Sequence, residues 1–254
     1  IRKFKPHTLS EPEEVIMSKK DQTGLRTLIR LFDEVDGSNT YELTVNGKKQ
    51  TLNYSGLIPY LTAHPDRNLR KQASEALTHG LKNKEKLYAF ALNNLLNDKK
   101  ITDEIRHYTY PQESSFLNYG VRKETVETMV GQIEKDYYIS EKFYNAKKIA
   151  MNVPELFEWD RYSYLGTGKT RTYTFGEART IVLDSYRQFS PVLSDIAEKF
   201  FKQKWIDAEI QPHKRAGAYC SYNIPSLHPY VLVNYAGQIR DVTTLAHELG
   251  HGVH

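Results

Sequence analysis

The chain has one cysteine, Cys220, in 254 residues, so no internal disulfide can form and a reducing compartment is expected. It has no apolar run near the roughly 18 residues that a membrane-spanning helix needs. The opening Ile1-Arg2-Lys3-Phe4-Lys5 lacks the apolar core of a secretory signal, which makes cytoplasm the expected location and a membrane an unexpected partner. An excess of one charge is missing too. The 35 basic and 31 acidic residues leave a net charge of +4 without the clustered basic face that nucleic acid requires. A phosphate-binding loop is imitated by Gly166-Thr167-Gly168-Lys169-Thr170, but the glycine needed five positions earlier is Ser163, which argues against nucleotide binding. Disorder is excluded by composition, with 39% hydrophobic and 26% charged residues. An initiator methionine is absent at Ile1, and no Gly, Asn or Pro follows the last helical pattern at His254. Both ends read as cut, and the expectation is a piece of a longer protein.

What is present is mostly helical periodicity. Ser10 with Glu13 forms a capping box opening a helix toward Lys19, and Leu25 to Phe32 predicts a second helix ending near Asp36-Gly37. Tyr41, Leu43 and Val45 then alternate with polar residues, Asn46-Gly47 is a type I′ turn signal, and a β-hairpin is predicted over 41–52. Several long helices follow from Ser55 to about Ala150, including one amphipathic segment from Thr125 to Met151. Its tyrosines, Tyr137 and Tyr138 among them, read as core and rim packing. A loop-rich connector spans about Pro154 to Thr172. One or two helices then run from Phe175 to Lys204, followed by two short strands at Gly217–Tyr222 and Tyr230–Tyr235. The fold class is mainly α, with that hairpin and a short sheet before the last helix. Two domains are expected: a helical domain with the β-hairpin over 1–165, and an incomplete catalytic domain over 166–254.

The last eight residues carry the chemistry. His247-Glu248-Leu249-Gly250-His251 is an H-E-x-x-H sequence, the signature of a zinc hydrolase. Residues four apart lie within about 40° of each other on a helix, one turn apart, so both imidazoles can face one metal. Val242, Leu245, Ala246, Leu249 and Val253 make an apolar stripe, with Thr244, His247, Glu248, His251 and His254 on the opposite side, so one face can bury while the other lines a cleft. Asp241 is the expected N-cap. His247 and His251 are therefore candidate Zn2+ ligands and Glu248 the candidate general base. A catalytic zinc site normally takes three protein ligands, and the third is expected beyond His254. His254 lies about 10.5 Å along the helix from His247, too far to join them easily, and reads as a cleft-wall residue. Cys220 reads as a small buried hydrophobe, and His213 and His228 as surface or loop residues.

Three stretches carry a family resemblance: Lys214-Arg215-Ala216-Gly217-Ala218-Tyr219-Cys220, His228-Pro229-Tyr230 through Asn234-Tyr235, and Asp241 through His251. Together with Trp159-Asp160 and Trp205-Ile206-Asp207, they resemble the oligoendopeptidase F family of thimet oligopeptidase-like zinc metallopeptidases. The resemblance spans essentially the whole chain. It implies a multi-helical, zincin-like metallopeptidase fold, two-lobed around a deep channel, and an endopeptidase acting on short unfolded peptides. It also implies a helical region before Ile1, a third zinc ligand that is a glutamate on a later helix, and further tyrosine and histidine residues beyond His254. A missing C-terminal segment supplied as another chain is one partner the reading allows. Main-chain groups near Gly217, Ala218 and Asn234 are expected to bind substrate. The alternatives are an inactive peptide-binding fragment and a helical interaction scaffold whose H-E-x-x-H is incidental. For this chain alone, weak zinc binding and little turnover are expected, because two ligands hold the metal poorly.

Overall fold

The computed structural model describes residues 2–165, 171–224 and 226–254. They are mainly helical, as expected, and form two compact units: Ile1–Val35 with Lys82–Leu156, and Asp36–Leu81 with Phe157–His254. The units are discontinuous in sequence, so the hairpin and the two helices directly after it group with the C-terminal segment rather than with the helices between residues 85 and 150. The Gly166–Thr170 stretch lies outside the described residues. No helix among those described is long and apolar enough to cross a membrane.

The first unit contains α1 (Glu11–Thr23), most of α2 (Leu25–Gly37), α5 (Glu85–Ile105), α6 (Glu113–Tyr119), α7 (Lys123–Lys135) and α8 (Tyr137–Ala150). Ser10 caps α1 as expected, its backbone N–H donating to Glu13 at 2.9 Å. The amphipathic stretch from Thr125 to Met151 is two helices and not one, broken at Asp136, whose backbone N–H bonds back to the Gln132 and Ile133 carbonyls. Burial here is slight. Ala91 is the one fully buried apolar residue among those described, while Phe90, Leu96 and Ile149 stand 60%, 60% and 79% exposed. Tyr137 and Tyr138 are exposed as well, which corrects their expected packing role. The firmest tie is polar: Arg106 donates to both oxygens of Glu14 at 2.8 Å, and its carbonyl meets His7 Nδ1 at 2.9 Å. This guanidinium, with the Leu9 N–H, pulls the Glu14 carboxyl from 4.5 down to about 2.

The second unit holds two hydrophobic clusters. In the first, the hairpin of β1 (Tyr41–Val45) and β2 (Lys48–Leu52) turns at Asn46-Gly47, both at positive φ (51° and 75°), where Gly47 avoids the Cβ clash. Tyr41 and Leu43 pack on Leu57 of α3 (Tyr54–Ala63) and on Leu69 and Ala73 of α4 (Arg67–Lys82). Asn53 caps α3, accepting from Gly56 N–H at 2.9 Å. Arg67, Arg70 and Ser74 share one face of α4, and that face grips the Phe157–Asp160 turn. Asp160 is fully buried and takes hydrogen bonds from Arg67 at 2.7 Å and Arg70 at 3.0 Å. Burial pushes its carboxyl up, but the bonds from Arg67, the Phe157 N–H and Arg70 outweigh that and hold it below the usual range.

The second cluster is built by α9 (Phe175–Phe189), α10 (Pro191–Lys202), a small sheet and α11 (Ile239–Val253). Thr174 and Ser190 cap α9 and α10, and Pro191 starts α10, where a missing N–H costs nothing. The sheet has three strands and not the two expected from the sequence. The added strand β3 (Ile206–Asp207) runs parallel to β5 (Tyr230–Leu232), while β4 (Tyr219–Ser221) is antiparallel to β5 and forms an edge. Two residues are too few to show periodicity, which is why β3 escapes a pattern reading. Ala178, Val182, Phe200, Val231, Val242, Leu245 and Leu249 close the core.

Phe200, 1% exposed, lies where a Cβ on Gly252 would stand 2.6 Å from its Cζ. Gly252→Ala is expected to force Phe200 or α11 to shift and to lower stability by about 1–3 kcal/mol, read by thermal or urea unfolding. For Glu14, a folded-state pKa below the unfolded one means the Arg106 tie stabilises above about pH 4.5 and is lost as pH falls toward 2. The melting-temperature difference between the wild type and Glu14→Gln should therefore shrink across that window.

Candidate active site

Helix α11 begins at Ile239, three residues earlier than an Asp241 cap would place it. Asp241 occupies the third helical position, and its carboxylate reaches back to accept from the Ala236 and Gln238 N–H groups at 2.9 Å each. It thereby holds the cap residue Gln238 and the Ala236 turn before it from inside the first turn. The apolar stripe then buries as the wheel predicts: Val242, Leu245 and Leu249 are 2%, 0% and 0% exposed. Tyr186 of α9 adds a polar pin, its hydroxyl donating to the Ala246 carbonyl in the turn just before His247.

On the opposite side, His247 Nε2 and His251 Nε2 approach to 3.1 Å with their rings perpendicular at 89°. Two zinc–nitrogen bonds of about 2.0–2.1 Å at a tetrahedral angle set the nitrogens about 3.3 Å apart, so the spacing fits a shared metal. Glu248 differs from a solvent-facing neighbour: it is only 8% exposed. It lies close enough to Cys220 that its charge, after burial, pushes that thiol's pKa up, and Cys220 is therefore a protonated, partly buried thiol rather than a nucleophile. No group of three His, Cys, Asp or Glu side chains that could hold a metal occurs among the described residues. His254 ends the helix exposed.

A cavity of about 640 Å³ opens over this face, within the second unit. Its floor is Thr244, His247 and Glu248. One wall comes from α3 and Leu77, and the other includes Gly217, Ala218 and Asn234, so the three expected substrate-side residues do stand beside the motif. Their loop is held from two points. Asn234 Nδ2 donates to the Arg215 and Gly217 carbonyls at 3.0 and 2.9 Å, while its buried Oδ1 has no protein partner among the described residues. The Lys214 ammonium donates to Asp207 Oδ1, the Glu209 carbonyl and the Val233 carbonyl at 2.7–2.9 Å. His228, read from sequence as a loop residue, instead stacks on Trp205 at 3.9 Å and 5° and touches Tyr230, anchoring the loop before β5.

Thr244, which the helical wheel places on the cleft-lining face, lines the cavity as expected; sequence reasoning missed Tyr54, Tyr162 and Arg240, which line it too. Arg240 had a usable signal, since it lies seven residues before His247 on its side of the helix. Tyr54 and Tyr162 had none, because only the tertiary fold brings α3 and the Asp160 turn to this wall.

Comparison with known proteins follows from this geometry. Residues 60–254 match Peptidase family M3. The oligopeptidase PepF of Bacillus subtilis is 23% identical over 257 residues, covering 100% of this chain and 38% of that protein. An oligoendopeptidase F homolog of Borreliella burgdorferi is 26% identical over 259 residues, covering 100% and 42%. The structure of PZ peptidase A with an inhibitor aligns at a TM-score of 0.78 and 21% identity over 89% of this chain and 40% of that one. Oligoendopeptidase-F of Enterococcus faecium aligns at 0.56 and 16%, over 79% and 39%. The chain thus spans about two fifths of the length of the curated relatives it matches. With its H-E-x-x-H helix over a lined cavity and a family match across most of its length, the chain belongs to peptidase family M3.

Proposed function

We propose that this chain carries the metal-binding half of a zinc-dependent endopeptidase acting on short peptides. The observation that carries the reading is the 3.1 Å approach of His247 and His251 Nε2 beside buried Glu248 on the floor of the cavity. His247 and His251, both neutral, would hold the zinc. When bound, the ion supplies Lewis acidity to a carbonyl oxygen and brings water into a range where it ionises near neutral pH. Glu248 takes the proton from the attacking water and delivers it to the nitrogen of the leaving amine. Burial suits Glu248 to this task, because a shielded carboxylate exchanges its proton with the reactants and not with solvent. Neither histidine Nδ1 has a hydrogen-bond partner among the described residues, although a ligating imidazole normally donates its second N–H.

The catalytic segment is 166–254, with α3 and α4 lending it a wall. Gly217, Ala218 and Asn234 bind the peptide main chain, and the free edge of β4 offers an extended peptide a strand to pair with. We place the intact protein in the cytoplasm and assign this chain alone weak zinc affinity and little turnover. Two ligands support that assignment, as does a span of about two fifths of its relatives. A non-catalytic peptide-binding fragment is the second reading, favoured by the lack of a third ligand among the described residues.

Glu248→Gln should retain zinc stoichiometry and lose turnover of a quenched short peptide by at least about a hundredfold, the usual scale of general-base catalysis. Substantial residual hydrolysis removes Glu248 from that role. Asn234→Asp sets a carboxylate oxygen against the Arg215 and Gly217 carbonyls where an amide now donates. Peptide affinity should fall while zinc binding is unchanged, and unchanged peptide affinity would exclude this wall from the substrate site.

A further inference from the structure

We propose that Arg240, with the Tyr162 and Tyr54 hydroxyls beside it, anchors a carboxylate of the bound peptide about three residues from the bond that is cut. The proposal rests on reading the cavity as a peptide site and assigns it a substrate class. Arg240 precedes His247 by seven residues on α11, which is about 10.5 Å along the axis. An extended peptide advances about 3.3–3.4 Å per residue, so three residues cover that distance. Arg240 and His247 line the same cavity.

The guanidinium is poised rather than committed. Among the described residues Arg240 is the cavity's one arginine or lysine, and its guanidinium makes no hydrogen bond or ion pair. Its contact is with the face of Tyr162, 5.6 Å from the ring centroid, while Arg161 stands 5.1 Å from the same ring. A stacked guanidinium keeps its N–H edge free, and that edge matches a carboxylate in a two-bond fork. Tyr54 joins the group: its half-buried hydroxyl senses Arg240, Tyr162 and Asp36, with burial foremost in keeping it protonated and therefore a donor. The nearby acids are accounted for. Asp241 is engaged by the Ala236 and Gln238 N–H groups, and Asp36 faces Tyr54. Glu248 sits at the other end of the floor, beside the histidines.

The carboxylate has two sources, the peptide's own C-terminus or an Asp or Glu side chain. Fluorescence anisotropy with three N-terminally labelled peptides of one neutral sequence separates them: the free acid, the C-terminal amide, and the amide with glutamate at the last position. Measured on the full chain carrying Glu248→Gln with zinc present, at least one acidic probe should bind about five- to tenfold tighter than the neutral amide. If only the free acid gains, the site reads chain ends, and if both gain, it reads any carboxylate. Arg240→Gln should erase the preference while leaving the neutral amide's affinity unchanged, with Arg240→Lys retaining part of it. Should Arg240→Gln not fold, Tyr162→Phe and Arg240→Lys provide the comparison. Equal affinity for all three probes overturns the anchor while the peptide site stands. Absence of binding by any probe overturns the peptide site and the anchor with it.

Discussion

Burial of one stripe of α11 is the constraint on which the site depends. Val242, Leu245 and Leu249 sit at or near zero exposure against Phe200, Val182 and Val231, and that packing fixes both the depth and the rotation of the helix. Rotation is what matters for chemistry. With about 100° between successive residues, a slip of one position would carry His247 and Glu248 off the cavity floor and bring the stripe toward water. Gly252 tightens the constraint, since Phe200 occupies the space where a side chain would be. Tyr186 fixes the turn just before His247 through the Ala246 carbonyl. The orientation of His247 and His251 is therefore set from behind, by apolar contacts on the buried side of the helix.

The cavity wall is held by a different kind of force. Asp160 is wholly buried between Arg67 and Arg70, and these bonds fasten α4 to the turn that presents Tyr162. Removing one member of such a cluster leaves an uncompensated buried charge, which costs about 3–5 kcal/mol. An ionic clamp of this type gives orientation where apolar contacts permit sliding, so it suits a wall that must face the floor at a fixed angle. The loop before β4 is secured in the same spirit by Lys214 and Asn234, whose donors go to backbone carbonyls and, from Lys214, to the Asp207 carboxylate as well.

The two units differ in how they are held together. Around the H-E-x-x-H helix the chain buries two clusters of large side chains. The unit of α1, α5, α7 and α8 leaves Phe90, Leu96, Phe143 and Ile149 exposed and leans on ties such as Glu14–Arg106. Helical periodicity is strong in both, which shows that an amphipathic pattern specifies a helix whether or not its apolar face finds a partner among the described residues.

Sequence alone determined the helices with clear periodicity, the Asn46-Gly47 hairpin, the capping of α1 and the face on which His247 and His251 lie. Each of these follows from interactions between residues a few positions apart, which a one-dimensional pattern records. It did not determine the break at Asp136, where the apolar pattern runs on through the boundary. Nor did it show β3, a strand of two residues defined by its partner β5. Glu248's burial, the stacking of His228 on Trp205 and the meeting of Tyr54, Tyr162 and Arg240 were likewise decided by tertiary structure. These groups are separated by as many as 186 positions, from Tyr54 to Arg240, and only the packing of α3, the Asp160 turn and α11 into one unit brings them to a common wall. The histidine pair was local and hence legible; the cavity beside it was made by long-range contacts and was not.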